Sequence, residues 1–179
     1  MAITRLGGAN AISGTIPQGN IANASLGAVT SLPAAIATGK VLQVVSGNHT
    51  SQASTTGTTF VDLSSNTNVS ITPASTSNKV LVMAHFNECF HNANANAMGH
   101  YIRVTAAGTE IHRAHTVYHA VDQGEEMMNQ DLIILHSPNS TSAVEYKMQF
   151  RSQHSGQSAV VNQNSAPGGS SLILMEIEG

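Results

Sequence analysis

The sequence predicts an all-β protein, an antiparallel β-sandwich of the jelly-roll kind, preceded by an extended N-terminal arm. Three observations support this fold class. Short runs rich in β-branched and aromatic residues recur along residues 40–179, separated by turns of Ser, Asn and Gly. No stretch shows a convincing apolar face at helical spacing, so the crossover helices of a parallel sheet are not predicted. Residues 1–39 follow neither pattern, which makes them a separate region.

Residues 1–39 are predicted to be an assembly arm that takes its shape from contacts outside its own subunit. Arg5 is the single charged residue of the arm, and small polar residues space the apolar ones too widely for an amphipathic helix. Two prolines favour extended backbone before them. A segment that buries little apolar surface by itself is ordered by another surface. The contact residues we expect are Ile12, Ile16, Pro17, Ile21, Leu26, Val29, Leu32, Pro33 and Ile36.

The body, residues 40–179, should begin with three short strands. Residues 40–45, 58–63 and 69–71 are β-rich runs, and Pro73 ends the third. The polar residues 46–52 between the first two runs read as a loop.

Residues 79–90, KVLVMAHFNECF, should form the central strand. Val80, Val82, Ala84 and Phe86 alternate with Leu81 and Met83, so the first half is apolar on both sides. We therefore expect this half to be buried on both faces.

A hairpin should follow the low-complexity residues 91–97. Its strands are residues 99–105 and 110–112, and Gly108 supplies the positive φ of a tight turn. Residues 113–126 fit a loop or a helical turn equally well.

Four strands complete the predicted sandwich. Residues 127–136, 158–162 and 171–178 are β-rich. The clearest alternation lies in residues 144–151, where Val144, Tyr146, Met148 and Phe150 should face the core.

Composition excludes several classes of function. Charged residues are 9% of the chain, the formal net charge is −3 and Lys and Arg do not cluster, which argues against a nucleic-acid partner. A single cysteine, Cys89, rules out an intrachain disulfide, and its simplest role is a small buried side chain. The N-terminus lacks the apolar region of a signal peptide, and no run is long enough to insert in a membrane.

Nine histidines invite a metal site, but we expect none. His112, His115 and His119 are spaced to share one face if they lie on a helix, and such a set binds Zn²⁺ or Ni²⁺. HExxH and zinc-finger spacings are absent from the sequence, so a polar surface is the favoured interpretation; a subunit axis could also gather one His from each copy. We expect His91, His112, His115 and His119 to lie in loops that contact a partner or a receptor.

No catalytic or cofactor motif stands out. Glu125 and Glu126 are neighbours in a polar connection, which is typical of a solvated turn and not of an acid–base pair. The sequence contains no GxSxG elbow, P-loop or dinucleotide fingerprint. We therefore predict neither enzymatic activity nor a cofactor.

Three segments together carry a family likeness. They are GGANAISGTIPQGNIANASLGAVTSLPAAIATGKVLQVV, TTFVDLSSNTNVSITPASTSNKVLVM and the closing SSLILMEIEG. In this order they resemble short tail-fibre or virion-appendage proteins of tailed bacteriophages, marine ones especially. The likeness covers the arm and most of the strand framework, whereas residues 85–126 match no pattern of that group. It implies an N-terminal arm, a β-rich body, a homotrimer and no enzymatic activity.

The leading functional hypothesis is a structural protein of a phage virion, assembled in the cytoplasm of the bacterial host. Its partners would be further copies of itself and other tail or capsid proteins. Two alternatives use the same parts. One is a capsid-decorating protein, and the other is a tip module that binds a receptor or glycan on the host surface.

Overall fold

The computed structural model describes residues 40–92, 98–118, 127–164 and 168–179, and these form an antiparallel β-sandwich. The predicted fold class is confirmed. The nine proposed arm contacts, the low-complexity residues 93–97 and His119 lie outside the described residues. Among the described residues, no helix is long and apolar enough to cross a membrane.

The described residues contain eleven strands and one short 3-10 turn at Ser65–Thr67. The strands are β1 (Val41–His49), β2 (Ala53–Thr55), β3 (Val61–Asp62), β4 (Asn68–Ile71), β5 (Lys79–Asn92), β6 (Met98–Ala106), β7 (Thr109–Tyr118), β8 (Met128–His136), β9 (Val144–Ser152), β10 (Ser158–Val161) and β11 (Ser170–Ile177).

The first sheet has six strands in the order β1-β11-β5-β10-β2, with β8 on the other side of β5. Strand β5 is central, as predicted. Its first half pairs with β11 and its last residues pair with β10. A β-bulge between Phe86 and Cys89, with Glu88 at φ 44°, separates the two halves and bends the strand from one partner to the next.

The second sheet has five strands in the order β3-β9-β6-β7, with β4 also paired to β9. The predicted hairpin of β6 and β7 is present, and its two turn residues, Ala107 and Gly108, both have positive φ. Burial alternates along β9 as predicted, with Val144, Tyr146 and Phe150 facing the core.

One continuous core fills the space between the two sheets. The first sheet contributes side chains such as Val80, Val82, Phe86, Leu172 and Leu174, and the second contributes Ile102, Val104, Tyr146, Met148 and Phe150. Glu176 also lies on this inner side, 1% exposed. It accepts hydrogen bonds from Gln43, Asn78 and the Ala74 backbone. Burial alone would raise the pKa of Glu176, but these three hydrogen bonds outweigh it and lower the pKa.

Three predictions about elements were wrong. Residues 46–49, expected in a loop, continue β1, and residues 113–118, expected in a loop or helical turn, continue β7. Of residues 58–63, expected as one strand, Val61–Asp62 alone form β3. The first half of β5 was predicted to be buried on both faces, but it is buried on the inner face alone. Leu81 and Met83 on the outer face are half-exposed, because no described element covers the outer side of this sheet.

Candidate assembly surface

Strand register gathers apolar side chains on the outer side of the first sheet. Residues paired directly across antiparallel strands share a face. One cross-strand row joins Val44, Met175, Leu81 and Leu135, and the next joins Ser46, Ile173, Met83 and Ile133. We call these two rows the apolar face: Val44, Leu81, Met83, Ile133, Leu135, Ile173 and Met175.

The apolar face is open to solvent among the described residues. Val44 is 54% exposed, Leu135 56% and Ile133 66%, and the four other apolar members are half-buried by their neighbours. Val41, the first residue of β1, is 52% exposed and pairs with Ile177 next to the face. An antiparallel sheet that faces water usually carries polar side chains there, so this arrangement is typical of a surface that another molecule covers.

A polar row borders the apolar face on one side. It joins Asn48, Ser171, His85 and Asp131 across four strands. The His85 Nδ1 lies 2.7 Å from the Asp131 Oδ1. A catalytic Ser–His–Asp triad requires, besides this His–Asp contact, a hydrogen bond from the serine hydroxyl to the other ring nitrogen of the histidine. No such bond joins Ser171 to His85 in the described part of the chain, so the triad is incomplete.

A shallow depression of about 200 Å³ lies where the polar row meets the apolar face. Its walls are Met83, Ala84, His85, Asp131, Ile133, Ser171 and Ile173. Because most of this lining is apolar, the depression suits a hydrophobic side chain better than a polar ligand.

The outer side of the second sheet has the opposite character. It carries Arg103, Arg113, Lys147 and Arg151, four of the seven Lys and Arg residues in the chain. Three of them are paired: Arg103 and Arg113 with Glu110, and Lys147 with Asp62 and Glu145.

Arginine and aromatic side chains form a stack on this second sheet. The Arg103 guanidinium lies 4.0 Å from the centre of the Phe60 ring, and the Arg151 guanidinium 3.9 Å from that of Tyr101. Tyr101 in turn stacks on His115, with ring centres 4.0 Å apart. Cation–π and stacking contacts hold these side chains against one another.

The predicted histidine sites are dispersed by the structure. His112 and His115 lie three residues apart on β7, so the strand turns them to opposite faces where a helix would have joined them. His91 belongs to β5 and is 5% exposed, which corrects its placement in a contact loop. Within the described ranges, no group of three or more His, Cys, Asp or Glu side chains is placed to hold a metal ion.

Burial alters the acid–base properties of several groups. It lowers the pKa of His100 to about 4, with further lowering from His91 and His115, and it also lowers the pKa of His91 and of His136. It raises the pKa of the Cys89 thiol to about 12, so this completely buried thiol stays protonated and unreactive at neutral pH.

Sequence reasoning missed the apolar face, although part of its signal was present. In β5, Leu81 and Met83 alternate with the core residues, and Ile173 and Met175 do the same in β11. The pattern indicates burial on both sides, but it does not say whether the same chain provides the cover.

No family model matches the chain, and no curated protein matches it. Three solved structures show partial similarity. The first is dimeric latent PorU from Porphyromonas gingivalis, at 7% identity and a TM-score of 0.44, over 75% of this chain and 12% of that one. The second is the T13 particle of infectious bursal disease virus, at 12% identity and 0.39, over 78% and 38%. The third is the Gx strain of that virus, at 11% and 0.38, over 75% and 40%. The chain therefore spans 12% to 40% of the length of these three.

Proposed function

We propose that this chain is a non-enzymatic structural protein of a virus particle, a tail-fibre-like appendage of a tailed bacteriophage anchored through residues 1–39. The apolar face carries this proposal, because a sandwich that presents two rows of hydrophobic side chains outward is suited to being covered in an assembly. The sequence resemblance described above supports the phage setting. The low charge supports protein partners over nucleic acid, and so does the pairing of Arg103, Arg113 and Lys147 on the second sheet with carboxylates of the same chain.

The proposed mechanism is assembly by ordering on binding. Scattered Ile, Leu and Val side chains of residues 1–39 would enter pockets of neighbouring virion proteins, and the arm backbone would add to exposed sheet edges. The sandwich would be displayed as a chemically inert block. The charged and aromatic outer side of its second sheet would then face water.

The first test is incorporation into particles. We expect phage carrying a chain without Ala2–Gly39 to make a folded body that is missing from purified virions, because the anchoring contacts are gone. Recovery of the truncated chain on purified virions, measured by immunoblot, would contradict the proposal.

A charge-matched pair of variants sharpens this test. Ile21→Asp with Leu26→Asp puts two charges on proposed contact residues, whereas Asn20→Asp with Ser25→Asp puts the same charges on polar neighbours. Charge is costly in an apolar pocket and cheap on a solvated surface. We expect the first pair to lower incorporation and the second to leave it unchanged.

Position on the particle separates the appendage from its two alternatives. An electron micrograph of virions labelled on this chain should show label on the tail. Label spread over the shell would instead indicate a capsid-decorating protein. Label confined to the distal ends of the fibres would indicate a receptor-binding tip.

A further inference from the structure

We infer that the apolar face of the first sheet is the site where a second copy of this chain docks. This inference rests on the proposed function, which requires an assembled protein. The apolar face would be the surface through which the copies associate. Three properties of the face indicate a copy of the same chain as its occupant: its neutrality, its polar border and its size.

The apolar face can meet a copy of itself without burying charge. Its two rows consist of seven apolar side chains and Ser46, with no Lys, Arg, Asp or Glu among them. Burying an unpaired charge in an interface costs far more than burying a neutral side chain. The outer side of the second sheet, with its Arg and Glu pairs, lacks this property.

The polar groups lie where the rim of an interface would be. The row of Asn48, Ser171, His85 and Asp131 lies on one side of the apolar rows. On the other side, Lys79 of β5 pairs with Ile177 of β11. Stable protein interfaces combine an apolar centre with a polar, partly solvated rim. The face shows the same order from centre to edge.

The apolar face and its polar rim together also have a suitable size. Four strands at about 4.8 Å spacing, each about eight residues long at about 3.4 Å per residue, cover a flat area of roughly 500 Å². Side-chain relief increases the accessible surface of such an area. The result approaches the roughly 800 Å² per partner of a standard interface. A small ligand would cover only the depression beside Ile133.

The test uses the full-length chain and substitutions on the edge strand β8. Ile133→Lys with Leu135→Lys places two ammonium groups on the apolar face, and both side chains are more than half exposed, so the fold should tolerate the change. Light scattering coupled to gel filtration should show the unchanged chain as an oligomer and the double variant as a monomer. The dissociation constant should rise by about 100-fold or more, because the contact would have to bury uncompensated charge.

A matched control exists on the other sheet. Val117 is an exposed apolar residue, 39% exposed, on strand β7. We expect Val117→Lys to leave the oligomer intact. The inference is overturned if the unchanged chain is a monomer, or if the double variant remains an oligomer with an unaltered dissociation constant.

Cross-linking gives a second measurement, independent of the lysine variants. Because Cys89 is completely buried, a short bismaleimide will react with an introduced surface thiol and not with Cys89. Leu135→Cys should cross-link between copies, whereas Val117→Cys should not. A bismaleimide product in which Leu135→Cys joins a thiol introduced into residues 1–39 of the same chain would identify the arm as the occupant and overturn the inference.

The outcome is separable from that of the proposed function. Oligomer formation is measured on purified protein, and incorporation is measured on virions. A chain that forms the predicted oligomer but is missing from particles would refute the virion role while keeping this contact. A chain that is present on particles but does not form the predicted oligomer would refute the contact alone.

Discussion

His100 couples the stability of the sandwich to pH. It is 1% exposed on β6, and the Gln130 amide lies 2.8 Å from its Nε2. Burial lowers its pKa from the ordinary 6.5 to about 4. Between these two values the unfolded chain binds a proton that the folded chain does not, so stability falls as the pH falls. The stabilisation is complete above pH 6.5 and is lost through about pH 4.

We predict that His100→Gln weakens this pH dependence. The difference between 6.5 and about 4 corresponds to roughly 3 kcal/mol of stability. His91 and His136, whose pKa values are also lowered, retain part of the slope in the variant. Urea denaturation at about pH 7 and about pH 5, at one fixed protein concentration, measures the slope. His112→Gln, an exposed site on β7, is the control, and an equal slope in both variants would contradict the prediction.

Strand β1 depends on a glycine for packing space. Gly47 pairs with Leu172 on the inner side of the first sheet. A Cβ at this position would collide with the carbonyl oxygen of Asn66 and lie 2.8 Å from a methyl of Val69. The missing side chain therefore lets the 3-10 turn and β4 close over β1. The same glycine misled the sequence interpretation, because Ser-Gly-Asn is usual in turns.

Gly47→Ala should destabilise the fold by about 1–3 kcal/mol, the usual cost of overpacking. Gly57→Ala is the matched control, since an added Cβ there meets nothing closer than 3.6 Å. Thermal unfolding followed by circular dichroism compares the two variants. Equal midpoints would show that β1 and the turn separate at little cost.

Elements were predictable where the alternation of side chains was complete. The inward and outward residues of strand β9 were predicted correctly because one face of the strand packs on the core and the other faces solvent. Residues 113–118 of β7 were missed because β7 is an edge strand that buries little: Arg113, His115 and Val117 are all exposed. Strand β2 was missed for a similar reason, since three residues are too few to show a period.

The candidate site was less predictable than the fold. Its residues were recognised as apolar, yet the face exists only through the register of four strands that are distant in sequence. His91, His112 and His115 were expected in contact loops, but they lie on strands β5 and β7, and His91 is buried there. Composition draws attention to such residues and leaves their surroundings undefined.

The two outer faces give the molecule an apolar side and a charged side. The first sheet presents the apolar face, whereas the second presents paired charges and stacked rings. Such a body can pack through one side and remain solvated on the other. Assembly through the first sheet would therefore depend on the hydrophobic effect more than on ion pairs.

We accordingly predict that salt does not dissociate the inferred oligomer. Between about 0.1 M and about 1 M NaCl the Debye length falls from about 10 Å to about 3 Å, which weakens exposed ion pairs and leaves apolar contacts in place. The molar mass from light scattering should stay constant over this range. Dissociation at high salt would show that rim groups such as His85, Asp131 and Lys79 hold the copies together. Asp131→Asn distinguishes the two cases, because it removes the carboxylate that pairs with His85 and leaves both apolar rows unchanged.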